Sequence, residues 1–194
     1  MGRIGRPQVV FGVYGNGLLN NGTHMVDLAR MLLGEIESVQ AVGRAESDGA
    51  GAIPGDVLVP FTIRIRDGPV VMMQALRFEL YRENGLDIWG ERGRIALMQE
   101  GLTTTSYPRV PNRAMQSELE IASDRPCVLP STIGGALYRM YDNLAAALLE
   151  DAPLWSPGDS ALQTAAVLDA ILESERREGV LLNVRGLSMT PRDG

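Results

Sequence analysis

The chain has 194 residues, is 45% hydrophobic and carries a net charge of −6. Its length suits one domain with a real core, and no window approaches the ~20 apolar residues of a membrane span. The acidic balance, with no basic block, excludes nucleic acid as the main partner, because phosphate binding needs concentrated positive charge. The single cysteine, Cys127, excludes an intrachain disulfide framework, and a reducing, cytoplasmic setting is expected. Arg3 and Arg6 precede no apolar run, so a signal peptide is not expected. Every basic residue other than His24 is an arginine, so no lysine general acid, Schiff base or P-loop phosphate contact can come from this chain.

Gln8 to Tyr14 is β-branched and aromatic and reads as a strand. Gly15, Gly17 and Gly22 punctuate the following loop. A helix is predicted from Thr23 to Leu33, with Met25, Leu28, Ala29 and Leu32 at helical spacing. Gly34 is its natural stop, and Asn21 or Thr23 its expected cap. The period then changes to two: Val39, Ala41 and Gly43 share one face of a strand, Gln40 and Val42 the other. Residues 47–55 read as a surface loop.

Val57 to Arg66 and Val70 to Phe78 read as a strand pair around Asp67-Gly68-Pro69. The second is apolar on both faces, with Val70, Met72, Leu76 and Phe78 against Val71, Met73 and Ala75. A strand covered on both sides implies helices on one face and a second layer, such as another subunit, on the other. Short strands are expected at Leu86–Trp89, Arg94–Met98 and Thr103–Tyr107, with a turn at Gly90-Glu91-Arg92-Gly93. Met115 to Leu129 reads as one irregular strand. Two helices follow, the first at Ala136–Glu150 with Leu137, Met140, Tyr141, Leu144 and Leu148 on one face. The second is at Asp159–Glu178, with Ala161, Ala165, Leu168 and Leu172. Val180 to Val184 is a last strand, and Met189 to Gly194 is expected to fray. The order is not the alternation of a doubly wound domain. It predicts an α+β single domain over residues 1–194, with an ordered core of about 8–184 and a large open, mainly antiparallel sheet with helices on one face.

Chemistry concentrates between Tyr14 and Asp27, which holds the only histidine, His24. Strand, Gly15-x-Gly17, then helix invites a dinucleotide-binding reading. That fingerprint needs a third glycine where this chain has Asn20, and no parallel strands follow. His24 and Asp27 are spaced to meet on the first helical turn. They read either as an acid/base pair or as a histidine that simply bonds backbone near the cap. A metal is not expected, because there is no second histidine and Cys127 has no local partner. No Gly-x-Ser-x-Gly elbow is present. Trp89 and Trp155 read as core or interface.

Several stretches carry a family resemblance. Gly17-Leu18-Leu19-Asn20-Asn21-Gly22-Thr23-His24-Met25-Val26-Asp27-Leu28, ending Leu32-Leu33-Gly34, resembles the "G-x-L-x-D-x-G-x-H-x-x-D…L-L-G" segment of the glucose–fructose oxidoreductase, inositol dehydrogenase and rhizopine-catabolism (Gfo/Idh/MocA) family. Leu86 to Arg94 resembles its "G-T-x-G" hairpin. Tyr141-Asp142-Asn143-Leu144 and the helix ending Ile171-Leu172-Glu173-Ser174 resemble its two C-terminal helices. The likeness runs from about Gln8 to Val184 and covers only the family's C-terminal domain.

The resemblance implies an open sheet with helices on one face, the other face commonly packing on another subunit. It implies that His24 faces substrate beside a nicotinamide, with Asn20 and Asn21 lining the pocket. The family often has an aspartate for proton transfer where this chain has Asn20; an amide orients a hydroxyl but is no carboxylate base. The family's dinucleotide-binding domain, with its glycine-rich loop and Glu-Lys-Pro motif, is expected to lie outside this chain.

The reading is therefore the substrate-binding and oligomerisation domain of an NAD(P)-dependent sugar, cyclitol or polyol oxidoreductase. No cofactor or metal is held in this chain, NAD or NADP being implied for a full-length enzyme. The domain is expected to be inactive alone, and to form a homodimer or homotetramer. The alternative is a freestanding, non-enzymatic small-ligand-binding or assembly domain.

Overall fold

The structure is a computed structural model, and it describes residues 3–48, 51–111 and 120–184. Strand β1 (Pro7–Gly15) passes through a π-helical turn (Gly17–Gly22) into α1 (Thr23–Leu33), and β2 (Ile36–Ala41) follows. A small separate hairpin pairs β3 (Glu46–Ser47) with β4 (Val57–Leu58). Then come β5 (Phe61–Ile65), β6 (Val70–Leu76), β7 (Gly85–Gly90), β8 (Gly93–Met98) and β9 (Thr103–Pro111). Two short strands, β10 (Glu120–Ala122) and β11 (Cys127–Leu129), precede α2 (Ala136–Glu150), α3 (Gly158–Arg176) and β12 (Leu182–Asn183).

The main sheet runs β10-β9-β8-β7-β1-β6-β5-β2-β12, with β11 also on β9. Only the central pair β1–β6 is parallel among the described strands. The fold is thus the expected large, mainly antiparallel open sheet with helices. One face forms the core. Val10 and Tyr14 of β1, Val71 and Met73 of β6, Phe61, Ile63 and Ile65 of β5, and Leu86 of β7 are all buried. Register explains the shared face: Val10 lies opposite Val71 on one side and Ile88 on the other. α1 and α3 cover this face, and α3 packs on β2. The opposite face is open, and Val9, Phe11, Val70, Met72 and Trp89 are exposed on it.

Three expectations are corrected. The strand expected from Val57 to Arg66 is broken at Val59–Pro60. Proline has no N–H to give a ladder, and both polar backbone groups of Val59 are bonded to the Tyr14 hydroxyl, at 2.7 and 3.0 Å. The inner face of α3 is Thr164, Val167, Leu168, Ile171 and Ser174, whereas Ala161 and Ala165 are exposed. Two of those inward residues are polar because they have work inside: Thr164 bonds Arg30, and Ser174 accepts from the Ala41 N–H and donates to the Val180 carbonyl. On α1 the expected face holds: Met25 and Ala29 are buried, Leu28 and Leu32 are half-buried against the core, and Val26 and Arg30 are buried as well. Neither Asn21 nor Thr23 caps α1, which starts from Gly22 without a side-chain cap.

Helix α2 has the expected bounds, but its apolar face is uncovered, with Leu137, Met140, Tyr141, Leu144 and Leu148 all exposed. Trp155 is also exposed, so it is not a core residue. The stretch read as one irregular strand from Met115 to Leu129 gives the separate strands β10 and β11, and its first part lies outside the described residues, as does the tail from Met189.

Candidate functional site

The chain leaves β1 at Gly15, where a Cβ would sit 2.1 Å from the Phe78 ring. Asn16 is left-handed at φ 56°, and Gly17 follows at φ 89°. These turns swing the backbone into the π-helical turn Gly17–Gly22, a geometry often found at functional sites. Thr23 supports the junction by donating its hydroxyl to the Leu19 carbonyl at 2.7 Å.

Asp56 secures this loop from far along the chain. Its buried carboxylate accepts the backbone N–H groups of Leu19 at 3.0 Å and Asn20 at 3.2 Å, and that of Val57 at 2.8 Å. It therefore satisfies amide donors of the π-helical turn that precedes α1. A Cβ on Gly17 would lie 2.0 Å from Asp56 Oδ2, so glycine is required there for contact as well as for its φ. The same contacts bear on the dinucleotide reading. The loop donors a pyrophosphate would take already hold a built-in anion, so these residues do not fit that cofactor group.

Past this loop lies a cavity of about 1100 Å³. Asn21, His24 and Asp27 from around the start of α1 line it, as do Arg82, Asn84 and Glu100, and Arg139 from α2. His24 is exposed and, among the described residues, has no hydrogen-bond partner. It therefore neither bonds the backbone near the cap nor pairs with Asp27. Asp27 is engaged elsewhere: it accepts the Thr164 hydroxyl at 3.1 Å and lies 3.5 Å from the Arg30 guanidinium. Asn21 is on the cavity wall with His24. Asn20 is half-buried and not on that wall, and its N–H is held by Asp56.

The cavity's charges are mostly paired. Arg82 donates to Glu100 at 2.9 Å. Arg139 reaches the Thr132 carbonyl at 2.7 Å and meets no carboxylate among the described residues. Arg30 is buried behind the site, bonded to Glu35, Gln163, Ser160 and Thr164, and so ties α1 to α3. Sequence reading named none of Asp56, Asn84 or Arg30. A lone Asp in a loop, an Asn before a strand and an Arg on an otherwise apolar helix each look solvated. Only Gly17, with its need for a close neighbour, hints at Asp56.

The fold and cavity together define a class: an open-sheet α+β domain with a polar cavity lined from the start of its first helix. Residues 2–96 match the family described as the GFO/IDH/MocA C-terminal domain. The family resemblance drawn from the motifs therefore holds over those residues, just under half of the chain, and they include the Gly17–Leu28 segment.

Solved structures agree in fold. Levoglucosan dehydrogenase in complex with NADH and levoglucosan is similar at 20% identity and a TM-score of 0.73, covering 96% of this chain and 60% of that one. The WlbA dehydrogenase from Bordetella pertussis, in complex with NADH and UDP-GlcNAcA, is 21% identical with a TM-score of 0.66, covering 95% and 57%. An oxidoreductase from Agrobacterium radiobacter, in complex with NAD+, L-tartaric acid and magnesium, is 19% identical with a TM-score of 0.65, covering 94% and 58%. The chain thus spans about 60% of the length of the levoglucosan dehydrogenase structure. No curated protein matches it.

Proposed function

We propose that this chain is the substrate-binding and oligomerisation domain of an NAD(P)-dependent oxidoreductase acting on a sugar, cyclitol or similar polyol. The observation that carries the reading is the cavity wall formed by Asn21 and His24, on the segment that resembles the family's substrate motif. Relatives of the same fold are described in complex with NADH or NAD+ and hydroxylated ligands, which supports the substrate class.

In this reading the nicotinamide supplies hydride chemistry from a cofactor bound by other residues, since the loop of this chain is closed to its phosphates. The chain's own part is to bind and orient. His24, without a hydrogen-bond partner among the described residues, is available to hold a substrate hydroxyl as acceptor or donor. Asn21 adds an amide beside it. Asn20 supports the loop, and cannot act as a carboxylate base.

The test is direct. The chain is titrated with levoglucosan and L-sorbose, and saturable binding is expected. His24→Ala should weaken it by about tenfold, the loss of one good hydrogen bond. The chain alone should turn over neither sugar with NAD or NADP. Absence of binding, or reduced nicotinamide formed by the chain alone, refutes the reading.

A further inference from the structure

We propose that Asn84, which neither the motifs nor the family resemblance points to, is a second ligand contact in this cavity, offering its amide to a hydroxyl of the bound polyol. The inference rests on the polyol reading above. Among the described residues, two buried side-chain atoms lack a hydrogen-bond partner, Asp48 Oδ2 and Asn84 Oδ1. Of the two, only Asn84 lines the cavity, which Asn21 and His24 also line. The residue is 7% exposed, so its amide is withdrawn from bulk water without being satisfied by protein. A buried amide in that state is costly, and proteins ordinarily pair such groups. Oδ1 is closed off in this orientation, so an unpaired amide on a cavity wall is explained by a group that arrives with the ligand and meets the amide as it turns.

The backbone around Asn84 is clamped. The Asn84 carbonyl accepts the Glu100 N–H at 3.0 Å, Glu83 accepts the Gln99 N–H at 2.6 Å, and Arg82 is paired with Glu100. The turn it grips is costly in itself, since Gln99 and Glu100 stand at φ 54° and 58° before Gly101 at φ 85°. The backbone that carries the amide is thus held in place, and rotation about χ2 is a soft motion left to the side chain. That rotation exchanges its acceptor and donor at the cavity side. A hydroxyl is the ligand group that can answer both, because it donates one hydrogen bond and accepts others. A carboxylate would answer only the NH₂ half.

The experiment compares wild type, Asn84→Leu, Asn84→Ala and His24→Ala in titrations with levoglucosan and L-sorbose, with thermal unfolding of each. Asn84→Leu keeps the volume and removes both amide atoms; Asn84→Ala removes bulk as well and cannot clash. The expected result is binding about tenfold weaker in whichever Asn84 variant is folded. Asn84→Leu should also unfold at the same temperature as wild type or higher, since it removes an unpaired polar group rather than a bond. Unchanged affinity overturns the proposal, and unchanged affinity with a lowered unfolding temperature assigns the amide to structure instead. Weakening by His24→Ala without weakening by the Asn84 variants leaves the polyol reading standing and this inference refuted. No binding of either sugar by wild type refutes both.

Discussion

At the residue scale, the site depends on side chains that work at long range in sequence. Tyr14 is fully buried, and its hydroxyl both donates to and accepts from the Val59 backbone. Burial pushes the phenol well above its ordinary range; the Val59 hydrogen bond opposes this, and the nearby carboxylates of Asp56 and Asp48 add to the rise. Folding therefore favours the neutral phenol. The resulting stability is fully present below the unfolded pKa of about 10, and is lost as pH rises above it. The denaturant midpoint should fall as pH passes 10, and more steeply in wild type than in Tyr14→Phe. At neutral pH Tyr14→Phe should cost about 1–3 kcal/mol, because the Val59 N–H and carbonyl lose their partner. Parallel alkaline slopes in the two proteins would refute the assignment. This residue also shows what was legible. Tyr14 was read as one more strand aromatic, and Asp56 was not read at all, because each acts on backbone groups 45 or 37 residues away. That His24 lies on the cavity lining was legible because it is unique in the chain and lies in a motif.

At the element scale, pattern and packing agree where one face is apolar and part where polar side chains turn inward. β1, β5 and β6 were legible from period-two alternation, and the β7–β8 turn from its glycines. The bounds of α1 and α2 were legible from Gly22, Gly34 and the run of helix formers. The inner face of α3 was not, because two of its buried positions hold the polar Thr164 and Ser174, while the apolar pattern points to Ala161 and Ala165, which are exposed. Amphipathicity also could not tell that α2 lays its apolar face on nothing among the described residues, whereas α3 packs on β2 and α1. The two helices should respond oppositely to the same kind of change. Ile171→Ala, at a fully buried position, should cost roughly 2–5 kcal/mol. Leu148→Ala, at a side chain 76% exposed, should stay within about 0.5 kcal/mol of wild type. Chemical denaturation of the two variants decides it, and comparable losses would mean that α2 is packed in solution.

At the scale of the whole molecule, the sheet separates two jobs. One face is sealed by α1 and α3 and carries the loop that presents His24. The other holds apolar side chains in register across its three central strands: Phe11 opposite Met72, and Val9 opposite Trp89. Arg94 borders this patch, stacked between Trp89 at 4.9 Å and Tyr107 at 4.7 Å, and its hydrogen bonds to Asp87 raise its already high pKa. The guanidinium is thus fixed flat along the sheet rather than extended into water, which leaves the apolar surface level. Contiguous exposed apolar surface of this kind usually marks an interface. A second copy of the chain is the proposed occupant, because a sheet face with side chains in regular rows is suited to packing on its own symmetry mate. Light scattering at micromolar concentration should therefore give the mass of a homodimer or homotetramer. Met72→Glu, at a position 46% exposed on the open face, should yield a monomer with unchanged circular dichroism, since it places a charge at the centre of the patch and touches nothing in the core. A monomeric wild type, or a Met72→Glu variant that keeps the assembled mass, would show that this face does not join subunits.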